Sequence, residues 1–440
     1  MNKYPITIET LSPLHIGKGN ALTSVGEYVA TDKTIRILDQ KHLYELLKEK
    51  NLMQDYMNYI LDYAKNTYVW DFFKENGIEK ELNYTREFAL NADAFNPVSN
   101  NILELATETC GQKYIPGSSL KGAIRTMVFA YHIETDDTLK SEVERIILDF
   151  NNLYDIRKRI DEKEDKLLNK VFGHLIVLDS ELVPDKEVTA EISKRVHLFG
   201  EKTDGLDNLR ECIVSGTKIK TTLSVKNSAV DNSPAWIYGD DLERLFDAIN
   251  KIMVIYLDYE IRLLSGSSEI IAKEMIKSLQ ALKNQVKDFG NDKALLRLGK
   301  GKTFIFQIIL PLLNNAAQKK LLQLMIKDED VRNNFPKTRV LNDYNEMFGW
   351  IKIIRPATPV VKVNYLNNKV ETLIVKETEL VARYVDLKRA SLMLNGVLIE
   401  NIQLVNQFET KFEIGTSINV FVWQLTKDGR LNQVKLINKL

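Results

Sequence analysis

Ile115-Pro116-Gly117-Ser118-Ser119-Leu120-Lys121-Gly122-Ala123-Ile124-Arg125-Thr126 is the stretch on which the reading of this chain turns. Pro116 and Gly117 close an extended segment, and Ser118 or Ser119 can cap the N–H groups that follow. Leu120, Ile124, Met127, Val128 and Tyr131 then recur at helical spacing, so a loop opens directly into an amphipathic helix. A helix start gathers unpaired N–H groups and the positive end of the dipole, and Lys121 and Arg125 add two charges one turn apart. Small residues at 117, 118, 119 and 122 leave room for a sugar-phosphate backbone to approach the main chain. The plainer reading is a capped core helix with two solvated cations.

Two further stretches share this chemistry. An alternating first strand (Tyr4, Ile6, Ile8 against Thr7, Glu9) runs into Thr10-Leu11-Ser12-Pro13-Leu14-His15-Ile16-Gly17-Lys18-Gly19-Asn20. The other is Leu295-Leu296-Arg297-Leu298-Gly299-Lys300-Gly301-Lys302-Thr303-Phe304. Neither contains an acid. With Lys18, Lys113, Lys121, Arg125, Arg297, Lys300 and Lys302, the three form a local cationic surplus if they converge, and are merely soluble turns if they do not.

Composition neither announces nor excludes a polyanion as ligand: 60 Lys+Arg balance 60 Asp+Glu over 440 residues. That length calls for two or three domains. Cys110 and Cys212 are too few for a disulfide framework or a thiolate metal site. No apolar run reaches the ~18 residues of a membrane span, and a cytoplasmic protein is expected.

Further along, residues 40 to 76 read as inserted helices, Thr85 to Asn101 as a polar loop, and Glu134 to Lys170 as a charged helical hairpin with a solvated surface. Leu175 to Leu182 and Lys218 to Val225 read as strands. Asp240 to Ser265, Ser268 to Phe289 and Pro311 to Lys327 read as helices, and Gly349 to Ile353 as a strand. Beyond Pro359 the texture changes to short alternating segments with turns at Asn367-Asn368, Asn395-Gly396 and Asp428-Gly429. A small all-β module is expected there, in the form of a five-stranded barrel. The expected domains are 1–230, α+β with helical insertions near 40–80 and 134–170, then 231–355, a second α+β half with helices and the third Gly-containing loop, then the β module 356–440.

Sharper chemical readings fail. Gly301-Lys302-Thr303 has the tail of a P-loop, but Leu296 stands where that motif needs glycine. Gly17 and Gly19 lack the third glycine of a dinucleotide fingerprint, position 22 being Leu22. No His-Glu-x-x-His or paired-cysteine spacing occurs, so neither a metal nor a cofactor is expected. His15 beside Gly17 is a candidate general base or stacking partner, although a lone histidine is more often structural.

The central stretch closely resembles the signature of the RAMP proteins of CRISPR systems, and Leu11 to Gly19 resembles their N-terminal segment. Arg297 to Gly301 looks like their second Gly-rich loop, and Phe335-Pro336-Lys337-Thr338-Arg339 with Gly349-Trp350-Ile351-Lys352 looks like the closing segment. The set is most similar to the Csm-type RAMP subunit that caps the 3′-end side of the guide RNA in type III-A complexes. The resemblance covers residues 1 to about 355. It implies two ferredoxin-like, RRM-like halves wrapping guide RNA (crRNA), partnered by RAMP backbone and small subunits. It also implies support of crRNA 3′-end maturation by recruiting or positioning host nucleases, without catalysis. The RNA-binding residues expected are His15, Gly17, Lys18, Gly117, Ser118, Ser119, Lys121, Arg125, Arg297, Gly299, Lys300, Gly301 and Lys302. Backbone RAMP subunits cut target RNA with an aspartate soon after the first Gly-rich loop. Ser24 to Ala30 offers none, and the only nearby acids are Glu27 and Asp32. The alternative is a RAMP endoribonuclease that processes guide RNA itself, with His15 as its base.

Overall fold

Asn2–Thr10 is the strand on which the first sheet is built, with Ile6 and Ile8 fully buried and Thr7 and Glu9 on the opposite, wetter face. The computed structural model describes residues 2–31, 33–61, 68–92, 101–109, 111–200, 208–225, 243–301, 304–307, 309–327, 329, 332, 335–355, 360–364, 369–373, 379–386, 388–394, 397–405, 413–425 and 431–439. Lys218–Val225 pairs with one edge of the first strand (Ile6↔Thr221) and Trp350–Ile354 with the other (Ile8↔Ile353). Lys293–Arg297 and Leu175–Val177 complete a five-stranded antiparallel sheet. Strands from the beginning, middle and end of residues 1–356 therefore lie side by side. These residues form one compact unit, and Ala357–Leu440 forms a second.

The helix of the central motif, Gly117–Thr135, packs against Glu243–Leu264. Leu120, Ile124, Met127 and Val128 of the first and Leu245, Phe246, Ile249, Ile252 and Met253 of the second are all buried, as their helical spacing requires. The charge-dense region forms the helices Asp137–Asp149 and Leu153–His174. Residues 40–75 supply the helices Gln40–Glu49, Met53–Leu61 and Val69–Glu75, which share a small core of Leu43, Leu47, Tyr56, Phe72 and Phe73.

The second sheet runs in the order Gly17–Leu22, Ile102–Leu105, Asn208–Ile213, Val188–His197, Tyr84–Asn91, Thr34–Leu38, Tyr28–Thr31. Thr338–Leu341 adds to the Val188–His197 strand. The expected polar loop beginning at Thr85 is instead a strand as far as Asn91. Phe88 and Leu90 point into the core while Thr85, Glu87 and Ala89 face outward, an alternation outweighed in the sequence by the surrounding polarity. Residues 93–100, the rest of that stretch, lie outside the described set. The strand expected over 175–182 ends at Val177, and the stretch read as a loop from Leu295 is strand as far as Arg297.

One buried ion pair ties the two layers. Arg339, on Thr338–Leu341, donates from Nε to Glu260 Oε1 at 2.6 Å and from Nη2 to Oε2 at 3.0 Å. Both side chains are excluded from water.

The second unit holds a hairpin, Val360–Asn364 with Lys369–Leu373, and a closed barrel of five strands. The barrel strands are Glu379–Asp386, Arg389–Leu394, Val397–Leu404, Ser417–Leu425 and Leu431–Lys439. Tyr384, Ile402, Ile418, Val420, Val422 and Val434 fill the interior. The turns expected at 367–368, 395–396 and 428–429 lie outside the described residues. Among the described residues, no helix is long and apolar enough to cross a membrane.

Removing one partner of a buried bidentate pair strands the other charge. Glu260→Ala is therefore expected to lower unfolding stability by about 3–5 kcal/mol, read from the midpoint of a urea or guanidinium titration. A decrease below about 1 kcal/mol would refute a structural role for this pair.

Candidate nucleic-acid interface

The first and third cationic stretches meet. Lys300 N–H donates to His15 O at 2.8 Å, Gly349 N–H to Pro13 O at 2.9 Å, and Leu298 N–H to Gly349 O at 2.7 Å. The approach is close enough to demand glycine: at Gly299 (φ +78°) an added Cβ would lie 2.2 Å from His15 O, and at Gly349 (φ +87°) 2.2 Å from Leu298 O. An open cleft of about 440 Å³ results, lined by His15, Gly17, Gly19, Asn20, Glu104 and Lys300 among others. Two glycines and the start of the Gly17–Leu22 strand leave its walls low, so main chain is accessible along it.

The central motif is joined to this cleft through an intermediary. Ile16 O accepts from Ala106 N–H at 2.8 Å, and Ala106 O accepts from Tyr114 N–H at 3.3 Å. Three residues on, the motif enters its helix. The helix begins at Gly117, so Ser118 and Ser119 lie inside the first turn and do not cap it. The cap comes from Asp179, whose Oδ1 accepts from Gly117 N–H at 2.7 Å. The anion expected at this helix start is thus the protein's own carboxylate. Gly117 is required because a Cβ there would sit 2.2 Å from Val177 O, and only at Gly122 is the space beside the helix open.

The cations divide into internal and outward ones. Arg297 is buried, stacks at 5.0 Å on both Phe306 and Trp350, and donates from Nε to Phe348 O at 3.1 Å; burial pulls its pKa down to about 9. It braces the third stretch from beneath. Lys113 is buried in an ion pair with Glu211 at 2.6 Å, and desolvation lowers its pKa. Arg125 is engaged by Glu164 (2.6 Å), Asp165 (2.9 Å) and Asn169 (3.1 Å) of the charged helical region. Lys121 Nζ donates to Leu175 O at 2.6 Å, against the C-terminal end of that same helical region. Lys18 pairs with Glu104 at 2.8 Å on the cleft wall. Lys300 is exposed and forms no ion pair with any described residue. Lys302 and Asp32 lie outside the described residues.

His15 is 1% exposed, and its Nδ1 lies 2.7 Å from Glu211 O. A carbonyl only accepts, so Nδ1 carries the proton and Nε2 keeps its lone pair. Burial, followed by the charges of Arg210 and Lys300, lowers the His15 pKa to about 4 despite that bond. The ring is neutral at physiological pH and its Nε2 lies beneath Gly17, where an added Cβ would come within 2.9 Å of it. Glu27 Oε2 accepts from Thr23 N–H at 2.8 Å, so this acid closes its own turn. Among the described residues, no group of three or more His, Cys, Asp or Glu is arranged to hold a metal ion.

Sequence reasoning missed Glu211 and Glu104, the first holding the cleft from below and the second lining it. No local pattern marks Glu211, because its strand, Asn208–Ile213, buries neighbours of both polarities.

Two sheets joined by Gly-rich loops that close on one another, with a Gly-started helix at their side, define a RAMP-type chain. The RAMP superfamily model matches residues 7–335, and the chain belongs to that superfamily. Among curated relatives, the CRISPR system Cms protein Csm5 of Streptococcus thermophilus is 26% identical over 276 residues, 60% of this chain and 72% of that protein. Its namesake from Methanocaldococcus jannaschii is 23% identical over 395 residues, 79% and 88% of the two chains. Among solved structures, a chain of the Csm-crRNA-target RNA ternary complex of a type III-A CRISPR-Cas system matches with a TM-score of 0.59 at 22% identity. That match covers 80% of this chain and 100% of the other. The crystal structure of T. onnurineus Csm5 matches with a TM-score of 0.57 at 22% identity, over 79% and 99%. The family model ends before the C-terminal barrel begins.

An unfolded imidazole takes up its proton near pH 6.5, whereas buried His15 resists to about 4. The unfolded state thus binds more protons in that window, and His15 costs stability as pH falls through it, roughly 3 kcal/mol in all. Glu191 opposes this: burial raises its pKa from 4.5 to about 7, so its contribution weakens as pH rises from 4.5 to 7. In Glu191→Gln, stability measured by chemical unfolding is expected to rise from pH 4 to 6.5, and adding His15→Gln should flatten the rise. Identical pH profiles for the two proteins would contradict a buried neutral His15.

Proposed function

We propose that the chain is a crRNA-binding subunit of a type III-A CRISPR effector complex. In this reading it caps the 3′-end side of the guide, supports crRNA 3′-end maturation and complex assembly, and performs no catalysis of its own. The observation that carries the reading is the union of the 15–20 and 299–301 segments into one low-walled cleft with Lys300 at its rim. Backbone N–H groups and a few cations position a phosphate chain without reading bases, which suits a protein that must accept guides of any sequence. The similarity to Csm5 proteins, and to a chain solved within a crRNA-bound complex, supports the assignment of partners: crRNA and the neighbouring RAMP backbone and small subunits. Host nucleases would be recruited or positioned at the guide's 3′ end.

Within this proposal Gly17, Lys18, Gly299, Lys300 and Gly301 contact RNA directly, and Lys302, which lies outside the described residues, is assigned to the same contact from its place in the sequence. His15 and Arg297 shape the cleft, and the motif residues Gly117, Ser118, Ser119, Lys121 and Arg125 lie outside its lining and are joined to it through Ala106, with Ser118 and Gly122 exposed on the motif helix.

Removing a cation that meets one phosphate should weaken binding and flatten the salt dependence by about one unit of slope. Lys300→Ala is therefore expected to reduce crRNA affinity and to lower the slope of log K against log salt by about one, in fluorescence anisotropy across about 50–300 mM salt. Arg125→Ala, whose charge Glu164 and Asp165 already take up, should change neither by more than about twofold. The reverse ranking would move the RNA path from the cleft to the motif helix. Guide precursor incubated with the purified chain should remain intact, and specific cleavage abolished in His15→Ala would overturn the non-catalytic reading.

A further inference from the structure

The C-terminal barrel presents a second surface. Its strands close in the order first, second, third, fifth, fourth, first, and every neighbouring pair is antiparallel except the third with the fifth (Gln403↔Gln433, Leu404↔Val434). That connectivity is the five-stranded Greek-key barrel of oligonucleotide- and oligosaccharide-binding modules. A barrel of this kind hosts many functions, so the case rests on the residues it displays.

Along Ser417–Leu425, Ile418, Val420 and Val422 point inward and fill the core. Phe421 and Trp423 are consequently directed outward, and Trp423 is 42% exposed. Among the described residues, Trp423 is not part of the barrel's core cluster. The rings meet edge to face at 6.0 Å. Lys435, the register partner of Phe421 on the next strand, holds its ammonium 4.9 Å from the Trp423 ring centre and 5.9 Å from that of Phe421. Beside it Gln433 Nε2 donates to Gln403 Oε1 at 2.8 Å, which extends the face across a third strand as amides.

Two π surfaces, an ammonium poised above them, and flanking amides that can both donate and accept form a surface complementary to unpaired nucleobases on an anionic backbone. Bases stack on exposed aromatic side chains whatever their sequence, while a nearby cation meets the phosphate. We propose that the outer face of the barrel around Trp423, Phe421 and Lys435 binds single-stranded nucleic acid, as a site separate from the cleft of the first unit. A single strand is favoured over a duplex because base faces inside a helix are covered by their neighbours and open to no ring. The chain would then hold RNA at two points, and the second would capture unpaired sequence without regard to guide identity.

The test uses the full-length chain with Lys18→Ala and Lys300→Ala introduced, so that binding at the cleft and binding at the barrel are read separately. A fluorescein-labelled single-stranded oligouridine is titrated against this protein, and a duplex of equal length serves as comparison. Saturable binding to the single strand is expected, with indole emission quenched, and weaker binding to the duplex. Trp423→Ala should weaken the single-strand affinity by at least about fivefold, Trp423→Phe by less, and Lys435→Gln should lower it while reducing the salt slope. Thermal melts of the three variants should match the parent, since none of these side chains is part of the barrel's interior. Absence of saturable binding in the parent, equal affinity for duplex, or unchanged affinity in both Trp423→Ala and Lys435→Gln would overturn the proposal and leave this face to a protein partner.

Discussion

A single buried carboxylate organises the first unit. Glu211 is fully excluded from water, yet each of its oxygens is engaged: Oε2 faces Lys113 Nζ at 2.6 Å and accepts from Leu105 N–H at 2.9 Å, and Oε1 accepts from Arg86 at 3.1 Å. Its backbone carbonyl receives the His15 ring. Burying such a charge is costly unless pairs and hydrogen bonds saturate it, and here two cations and a main-chain amide do so. Four segments thereby acquire one fixed relation to the Asn208–Ile213 strand about 100 residues or more away: the first loop at His15, the strand ending at Leu105, the approach to the motif helix at Lys113, and the Tyr84–Asn91 strand at Arg86. Apolar packing alone tolerates sliding of such segments, whereas a saturated ionic node admits one register.

That node explains why the cleft is made of glycine. Once His15 is anchored from below, its carbonyl has a fixed position, and the third loop can reach it only if residue 299 has no side chain. Gly349 repeats the device one layer over, where the closing strand passes Leu298 O. The loops are therefore joined main chain to main chain. The joint leaves the Lys300 side chain turned outward while Arg297, three residues earlier and on the strand, is driven inward against Phe306 and Trp350. The strand's end at Arg297 and the glycine turn that follows it give the two cations opposite roles: one braces the loop and the other remains available at the surface.

Much of the first sheet was legible in the chain because its strands alternate cleanly; Asn2–Thr10 and Lys218–Val225 announce themselves, as do the helix Glu243–Leu264 and the barrel strand Ser417–Leu425. Most of the second sheet was not, Thr34–Leu38 being an exception. Val188–His197 and Asn208–Ile213 carry Glu191, Arg210 and Glu211 in their buried spans, so their polarity argues for loop when each is read locally. Only the partners explain them, and those come from about 100 residues away or more for both Arg86 with Glu211 and Asn91 with Glu191. The site was half legible for the same reason. Glycines and cations flagged the right loops, but sequence gives no sign of which cations a distant carboxylate will take: Glu211 claims Lys113, and Glu164 and Asp165 claim Arg125.

The motif helix shows how a signature can mark a joint as much as a contact. Pro116 and Gly117 set the main chain against Val177 and Leu178 so closely that Asp179 caps the helix and Lys121 meets the carbonyl of Leu175. Each of these contacts locks the motif to the segment that follows the charged helical region. Glu164 and Asp165 neutralise the helix flank at Arg125, whereas, among the described residues, no acid of 134–170 lines the glycine cleft, which the motif reaches by two hydrogen bonds through Ala106. In a chain of zero net charge, this internal pairing is what localises potential. Cations that meet carboxylates contribute rigidity and little field, so attraction for an anion falls to the few that the fold leaves unmatched. Because glycine joints hold Lys300 at the cleft's rim, the residual field and the accessible main-chain amides occupy the same place. A phosphate backbone requires that coincidence, and no single motif of the sequence encodes it.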